Sequence, residues 1–182
     1  MTSLIILDRD GVINQDSDEY VKSVDEWIPI PGSASAIARL CQAGFQVAVA
    51  TNQSGLARGY FSQADLDAMH QKMTQLVEAE GGSFAHIAWC PHGPDDKCDC
   101  RKPLPGLIHQ IEQALDVSAK GAWMVGDSLR DLQAGAAAGC QVALVKTGKG
   151  EKTLPKLEAD DQLHNSPVFT DLSAFVDFVL AS

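Results

Sequence analysis

The chain is predicted to be an α/β protein built on a doubly wound parallel sheet, and three observations carry that expectation. Short apolar runs alternate with helical segments along most of the length. The runs are continuously apolar, as strands covered by helices on both faces must be. Several of them stop abruptly at polar residues and glycine, and in open α/β sheets ligands bind at the carboxyl ends of strands.

Taken in order, strands are expected at 4–7, 45–50, 84–89, 122–125 and 141–145, and helices near 33–43, 63–80, 104–115, 129–138 and 171–180. Leu4-Ile5-Ile6-Leu7 is the first strand. Pro31-Gly32-Ser33 opens the first helix, whose apolar stripe of Ile37, Leu40 and Cys41 ends before Gly44. In that stripe Cys41 reads as a small buried hydrophobe, as does Cys140 at the start of the last strand. Ser62 is a fitting N-cap for the second helix and Gly81 a fitting stop. Right-handed crossovers then wind the alternating elements into one sheet with helices on both faces.

A length of 182 residues suits one domain, 1–182, better than two. Hydrophobic content of 45% and charged content of 21% describe an ordinary globular protein without repeats. A net charge of −10 repels polyanions, and no basic patch offsets it, so nucleic acid is not an expected partner. No apolar run approaches the length that spans a bilayer, and Met1-Thr2-Ser3 leads into the first strand without a charged leader. A cytoplasmic, monomeric protein without membrane contact is the expectation.

Five cysteines do not make an even disulfide framework, and three of them cluster with a histidine as C-x-H-x5-C-x-C. Cys90, His92, Cys98 and Cys100 match a tetrahedral Zn²⁺ site of three thiolates and one imidazole. Such a set leaves no open position for catalysis, so the zinc would be structural. Pro91, Gly93, Pro94, Asp95 and Asp96 make this segment a polar loop, which disfavours unlinked core cysteines.

Four segments end or follow expected strands: Asp8-Arg9-Asp10-Gly11, Thr51-Asn52-Gln53-Ser54-Gly55, Arg101-Lys102-Pro103, and Gly126-Asp127-Ser128-Leu129-Arg130-Asp131. Each alone has an ordinary reading as a turn, a cap or a solvated charge. As an ordered set across residues 4–147 they resemble the haloacid dehalogenase superfamily of phosphatases. The resemblance implies a Rossmann-like fold with the Asp8 strand central and beside the 45–50 strand. Members often carry an inserted cap domain; here residues 12–30 have room only for a flap and residues 90–103 for the zinc loop.

On that resemblance Asp8 is the nucleophile that forms an aspartyl-phosphate, and Asp10 is the general acid and base for the two half-reactions. A dianionic phosphate meeting a carboxylate needs a cation, and Asp8, Asp10 through its carbonyl, and Asp127 would suit Mg²⁺, with Asp131 in support. Thr51 would donate to the transferring group together with Asn52. Lys102 would supply a point charge, and Arg101 a planar fork for a second, non-reacting phosphate.

Two groups in the superfamily carry a zinc loop before Arg-Lys-Pro: the heptose 1,7-bisphosphate 7-phosphatases and the histidinol-phosphate phosphatases. Asp8 to Asn14, Tyr20-Val21-Lys22 and Thr51 to Gly59 look like the heptose group. The short gap between His92 and Cys98 is also seen in the histidinol group, and Ser128 stands where some heptose enzymes have lysine, with Arg130 as an alternative contact. The heptose resemblance implies a sugar bisphosphate as the small-molecule partner, touched by Asp8, Arg9, Asp10, Asp16, Glu19, Tyr20, Thr51, Asn52, Gln53, Ser54, Arg101, Lys102 and Ser128. Against it stand a histidinol-phosphate phosphatase and, in a different class, an inactive zinc-organised binding module.

Overall fold

The computed structural model describes residues 3–182. The element order is β1 (Leu4–Leu7), α1 (Ser33–Gln42), β2 (Gln46–Asn52), α2 (Gln63–Ala79), β3 (His86–Cys90), α3 (Gly106–Leu115), β4 (Trp123–Gly126), α4 (Leu129–Ala137), β5 (Gln141–Val145), α5 (Gly150–Glu158), β6 (Val168–Phe169) and α6 (Leu172–Leu180). All pairings are parallel, in the order β3-β2-β1-β4-β5-β6, so β1 lies between β2 and β4 as the resemblance implied.

The alternation of side chains along each strand divides the interior into two cores, one on each face of the sheet. Ile5, Leu7, Val47, Val49, Val125 and Val145 belong to the first, where Ile37 and Leu40 of α1, Leu66, Met69 and Met73 of α2, and Phe175 and Val176 of α6 cover them. Leu4, Ile6, Ala48, Ala50, Met124 and Leu144 belong to the second, beneath Leu107, Ile108 and Ile111 of α3, Leu132 of α4 and Leu157 of α5. Full burial of each large aliphatic side chain contributes about 1.5–3 kcal/mol, so β1, with no exposed face, is the best-anchored strand.

The expected boundaries hold to within a few residues, and the departures have local causes. Ser62 caps α2 by exchange with Asp65: the Asp65 N–H donates to the serine hydroxyl (3.1 Å), and the Ser62 N–H donates to the carboxylate (2.9 Å). Gly44 and Gly81 follow their helices with φ of 93° and 92°. α3 begins at Gly106 rather than 104, because Pro105 disfavours helical backbone at Leu104 before it. Cys41 and Cys140 are half-buried rather than buried, each with its thiol on a backbone carbonyl. Two elements escaped the sequence reading: α5 opens on glycine and contains Pro155, and β6 has two residues, too few to show a period.

Residues 12–30 form no named helix or strand. The segment folds back through bridges from Asn14 to Asp10 and to Pro29 and buries Trp27, a flap rather than a cap domain.

Candidate active site

From β1 the chain winds outward through β2 and β3, then returns to the other side of β1 at β4. The order reverses between β1 and β4, and the crevice at their carboxyl ends is where a doubly wound sheet binds its ligand. Asp8 follows β1 and Asp127 follows β4, and the Asp8 N–H donates to the Val125 carbonyl at 3.0 Å. The Asp127 carboxylate fits between two glycines: a Cβ at either Gly11 or Gly148 would overlap it. The Lys149 N–H donates to Asp127 Oδ2 (2.8 Å), and the Thr153 hydroxyl to the Asp127 carbonyl (2.7 Å).

Lys102 is buried at the centre of this cluster. Its ammonium donates to Asp8 Oδ1 (2.9 Å), Asp131 Oδ1 (2.6 Å) and the Ala50 carbonyl (2.8 Å), using all three protons. Asn52 holds the Lys102 backbone from both sides, donating to its carbonyl (3.1 Å) and accepting its N–H (3.0 Å). The Lys102-Pro103 bond is cis. Asp131 also accepts from the Ser128 N–H and hydroxyl, so its carboxylate joins Lys102 to the start of α4.

Carboxylate oxygens of Asp8, Asp127 and Asp131 lie within 4.8 Å of one another. Burial, then the neighbouring Asp131 charge, raises the Asp8 carboxyl well above its usual range despite Lys102. Burial and Asp131 also push Asp127 up to about 7, against the Lys149 N–H. Burial would raise Asp131 too, but Lys102 outweighs it and holds that carboxyl low. Burial disfavours the Lys102 ammonium, yet Asp131 and Asp8 together raise its pKa. One lysine thus faces three carboxylates, an excess of negative charge that suits a divalent cation with oxygen ligands.

Asp10 is held differently. Its Oδ1 accepts from Arg9 Nε (3.1 Å), Arg9 Nη2 (2.8 Å) and Asn14 Nδ2 (2.8 Å), while Oδ2 accepts from Gln53 Nε2 at 3.1 Å. Burial opposes the charged form, but Arg9, Asn14 and Gln53 win and keep the Asp10 carboxyl below the usual range. Gln53 also donates to the Thr51 hydroxyl at 2.9 Å.

Arg9, expected among the substrate contacts, is not among the residues that line the cavity. Its side chain is 0% exposed and its guanidinium is taken up by Asp10 and His70, on the far side from the cavity. Alternation along an extended segment could have found this, because residue 9 must face away from 8 and 10.

A polar cavity of about 290 Å³ opens over the cluster. Asp8, Asp10, Asp127 and Lys102 are in its floor, with Asn52, Gln53, Ser54 and Ser128 around them. Asp16 and Tyr20 line it from the flap, whereas Glu19 lines the adjoining concavity and Thr51 is buried behind Gln53. Arg101, Arg130 and Lys149 supply a cationic wall, and Lys149 Nζ approaches Asp16 Oδ2 at 3.4 Å.

Next to this cavity, the thiols of Cys90, Cys98 and Cys100 come within 4.8 Å of one another, with Cys100 Sγ 2.9 Å from Cys90 Sγ. The imidazole of His92 is not part of that close group. Burial pushes the Cys90 and Cys100 thiols up, so three thiolates this close require a cation among them, and soft sulfur donors suit Zn²⁺. Arg101 reaches back to this loop, donating to the His92 carbonyl at 3.3 Å.

Comparison with known proteins settles the family. A D-glycero-β-D-manno-heptose-1,7-bisphosphate 7-phosphatase of Pseudomonas aeruginosa is 57% identical over 178 residues, 98% of each chain. The chain belongs to the D-glycero-β-D-manno-heptose-1,7-bisphosphate 7-phosphatase family. The Bordetella bronchiseptica member is 62% identical over 151 residues, covering 83% of this chain and 84% of that one. A crystal structure of D,D-heptose 1,7-bisphosphate phosphatase from B. bronchiseptica, complexed with magnesium and phosphate, superposes with a TM-score of 0.92 at 54% identity, over 100% of this chain and 99% of that one. A HAD-hydrolase-like family model matches residues 99–174.

Within this heptose phosphatase fold, the sequence reading missed Lys149, Thr153 and Gly148, which hold Asp127, and His70, which meets Arg9. Gly148 and Lys149 lie in the turn after β5, the strand next to β4, and Thr153 in α5 just beyond it, where the topology alone would have directed attention. His70 carries no such signal, being one polar residue on a mostly apolar helix face.

Proposed function

We propose that this protein removes the 7-phosphate of D-glycero-β-D-manno-heptose 1,7-bisphosphate through an aspartyl-phosphate on Asp8. The observation that carries the reading is one cavity holding the Asp8, Asp10 and Asp127 carboxylates in its floor and Arg101, Arg130 and Lys149 in its wall. A bisphosphate needs a second anion subsite of that kind, and the relatives' names specify a bisphosphate.

An Asp8 oxygen attacks phosphorus in line while the bond from phosphorus to the sugar oxygen breaks. Asp10 gives that oxygen a proton, and afterwards takes one from the water that attacks the aspartyl-phosphate, releasing phosphate and restoring Asp8. Arg9 and Gln53 keep Asp10 ionised in the free site; the negative charge of an incoming phosphate offsets them and favours the protonated acid. Lys102 and the Asn52 region stabilise the transferring group, with the Thr51 hydroxyl acting from behind through Gln53. Asp8, Asp127 and the Asp10 carbonyl would hold Mg²⁺, with Asp131 behind them, and the metal supplies the positive charge that lets a dianion approach a carboxylate. Cys90, Cys98 and Cys100, with His92 of the same loop, would hold a structural Zn²⁺.

On this reading the protein acts as a single-domain monomer in the cytoplasm on a small sugar bisphosphate, in the supply of ADP-heptose for lipopolysaccharide. No helix among the described residues is long and apolar enough to cross a membrane. The test is Mg²⁺-dependent phosphate release from the β-anomer, the α-anomer and histidinol phosphate, with Asp8→Asn as the blank. The highest kcat/KM is expected for the β-anomer; a preference for histidinol phosphate overturns the assignment of substrate.

A further inference from the structure

Asp10 presents two unlike oxygens. Oδ1 accepts three hydrogen bonds, two from Arg9 and one from Asn14, and its lone pairs are saturated. Oδ2 accepts only one, from Gln53, and Asp10 keeps 24% of its side chain exposed toward the cavity. Oδ2 is therefore the oxygen able to hold a mobile proton, and its direction depends on how firmly Oδ1 is gripped.

The grip has a further anchor. The third guanidinium nitrogen, Arg9 Nη1, lies 3.3 Å from His70 Nε2. Arg9 can only donate, so His70 must accept at Nε2 and carry its proton at Nδ1. His70 comes from α2, across the first core from β1, and its ring packs on Trp89 of β3 with centroids 5.7 Å apart. Burial and the Arg9 charge lower the His70 pKa to about 3, which keeps the ring neutral and accepting at every working pH. The order Trp89, His70, Arg9, Asp10 thus runs from the sheet edge to the cavity, and none of the first three lines it.

We infer that His70 and Arg9 are positioning residues for the acid and base step: His70 fixes the guanidinium of Arg9, and Arg9 ties down Oδ1 of Asp10 so that Oδ2 alone faces the leaving group. The inference rests on the aspartyl-phosphate reading above. It assigns no substrate contact to either residue.

The nature of the leaving group separates this role from a merely structural one. A sugar alkoxide needs a proton as it departs, whereas p-nitrophenolate departs without help. The quantity to compare is kcat/KM, which covers only the steps up to loss of the leaving group. For His70→Leu we expect kcat/KM on the heptose bisphosphate to fall about 10-fold, and for Arg9→Met about 100-fold, as a small misplacement of a catalytic group can cause. On p-nitrophenyl phosphate each variant should stay within about 3-fold of wild type, since little transition-state stabilisation is lost there.

His70→Gln, whose amide oxygen can replace Nε2 as acceptor, should recover most of the His70→Leu loss. Equal losses on the two substrates, or a Gln variant no better than Leu, overturn the inference while leaving the phosphatase reading intact. A wild-type enzyme that releases phosphate from neither substrate, or an Asp10→Asn variant as active as wild type on the sugar, overturns the reading and the inference with it.

Discussion

The two clusters that invite a cation are constructed in opposite ways. The Asp8 carboxylate arrives from one strand end, and those of Asp127 and Asp131 from another strand end and the helix start that follows it, more than a hundred residues later in the sequence. Each meets fixed donors: Lys102 on Asp8 and Asp131, a backbone N–H on Asp127. The thiols of Cys90, Cys98 and Cys100 come from one short stretch and meet one another and the backbone N–H groups of that same loop, from His92, Cys100 and Arg101. The fold holds the first cluster in shape through a permanent lysine charge brought from another strand end, which the second lacks. The second depends on whatever cation it binds, which then shapes its loop. Loss of metal should accordingly cost activity in the first case and structure in the second.

The widest separation between them is expected from Asp8→Asn, which should lower kcat by about 10⁴-fold or more while the near-ultraviolet circular dichroism stays native. A folded variant with substantial turnover would remove the carboxylate cluster from the chemistry. Cys100→Ser should do the reverse. Loss of zinc, read by metal analysis, should lower Tm by roughly 10 °C, which is about 3 kcal/mol for a domain of this size. Because Arg101 donates to the His92 carbonyl, KM should rise more than kcat falls; an unchanged KM would separate the loop from substrate binding.

Arg101→Ala should raise KM for the bisphosphate by about 10- to 100-fold, the value of one or two charge-assisted hydrogen bonds, and affect a monophosphate much less. A smaller effect comes from protons. Asp127 has its pKa raised to about 7 by burial and Asp131, so it costs stability once the pH exceeds its unfolded value of about 3.9. Without Mg²⁺, Tm should therefore fall between pH 5 and 7.5. Millimolar Mg²⁺ should restore it by several degrees at pH 7.5 and by little at pH 5, as differential scanning fluorimetry can show; a uniform shift would separate Asp127 from the metal. The smallest change belongs to Ser128→Ala, which removes one donor from Asp131 and should cost about 1 kcal/mol. An unaltered Tm would mean that the Ser128 N–H suffices.

The same contrast explains what could be read from the sequence. Cys90, Cys98 and Cys100 are close along the chain, so residue type and spacing reveal the thiol cluster directly. Asp8 and Asp127 were legible because each ends an apolar strand. Their convergence was available only through the family resemblance, since strand order is a property of the whole sheet. The burial of the Arg9 side chain was not legible, because a charged residue beside two reactive aspartates attracts a functional reading. Its burial follows instead from strand alternation and from His70, whose approach depends on how α2 crosses the sheet. Lys149 was missed for a related reason: α5, which it precedes, opens on glycine and holds a proline, so the segment reads as loop.

Gly11 and Gly148 flank Asp127 so closely that a single methyl on either would displace its carboxylate. In a library of every single substitution, these two chemically inert positions should tolerate replacement as poorly as the aspartate between them. A screen blind to mechanism would then rank two residues without side chains among the determinants of turnover, because what they contribute is room.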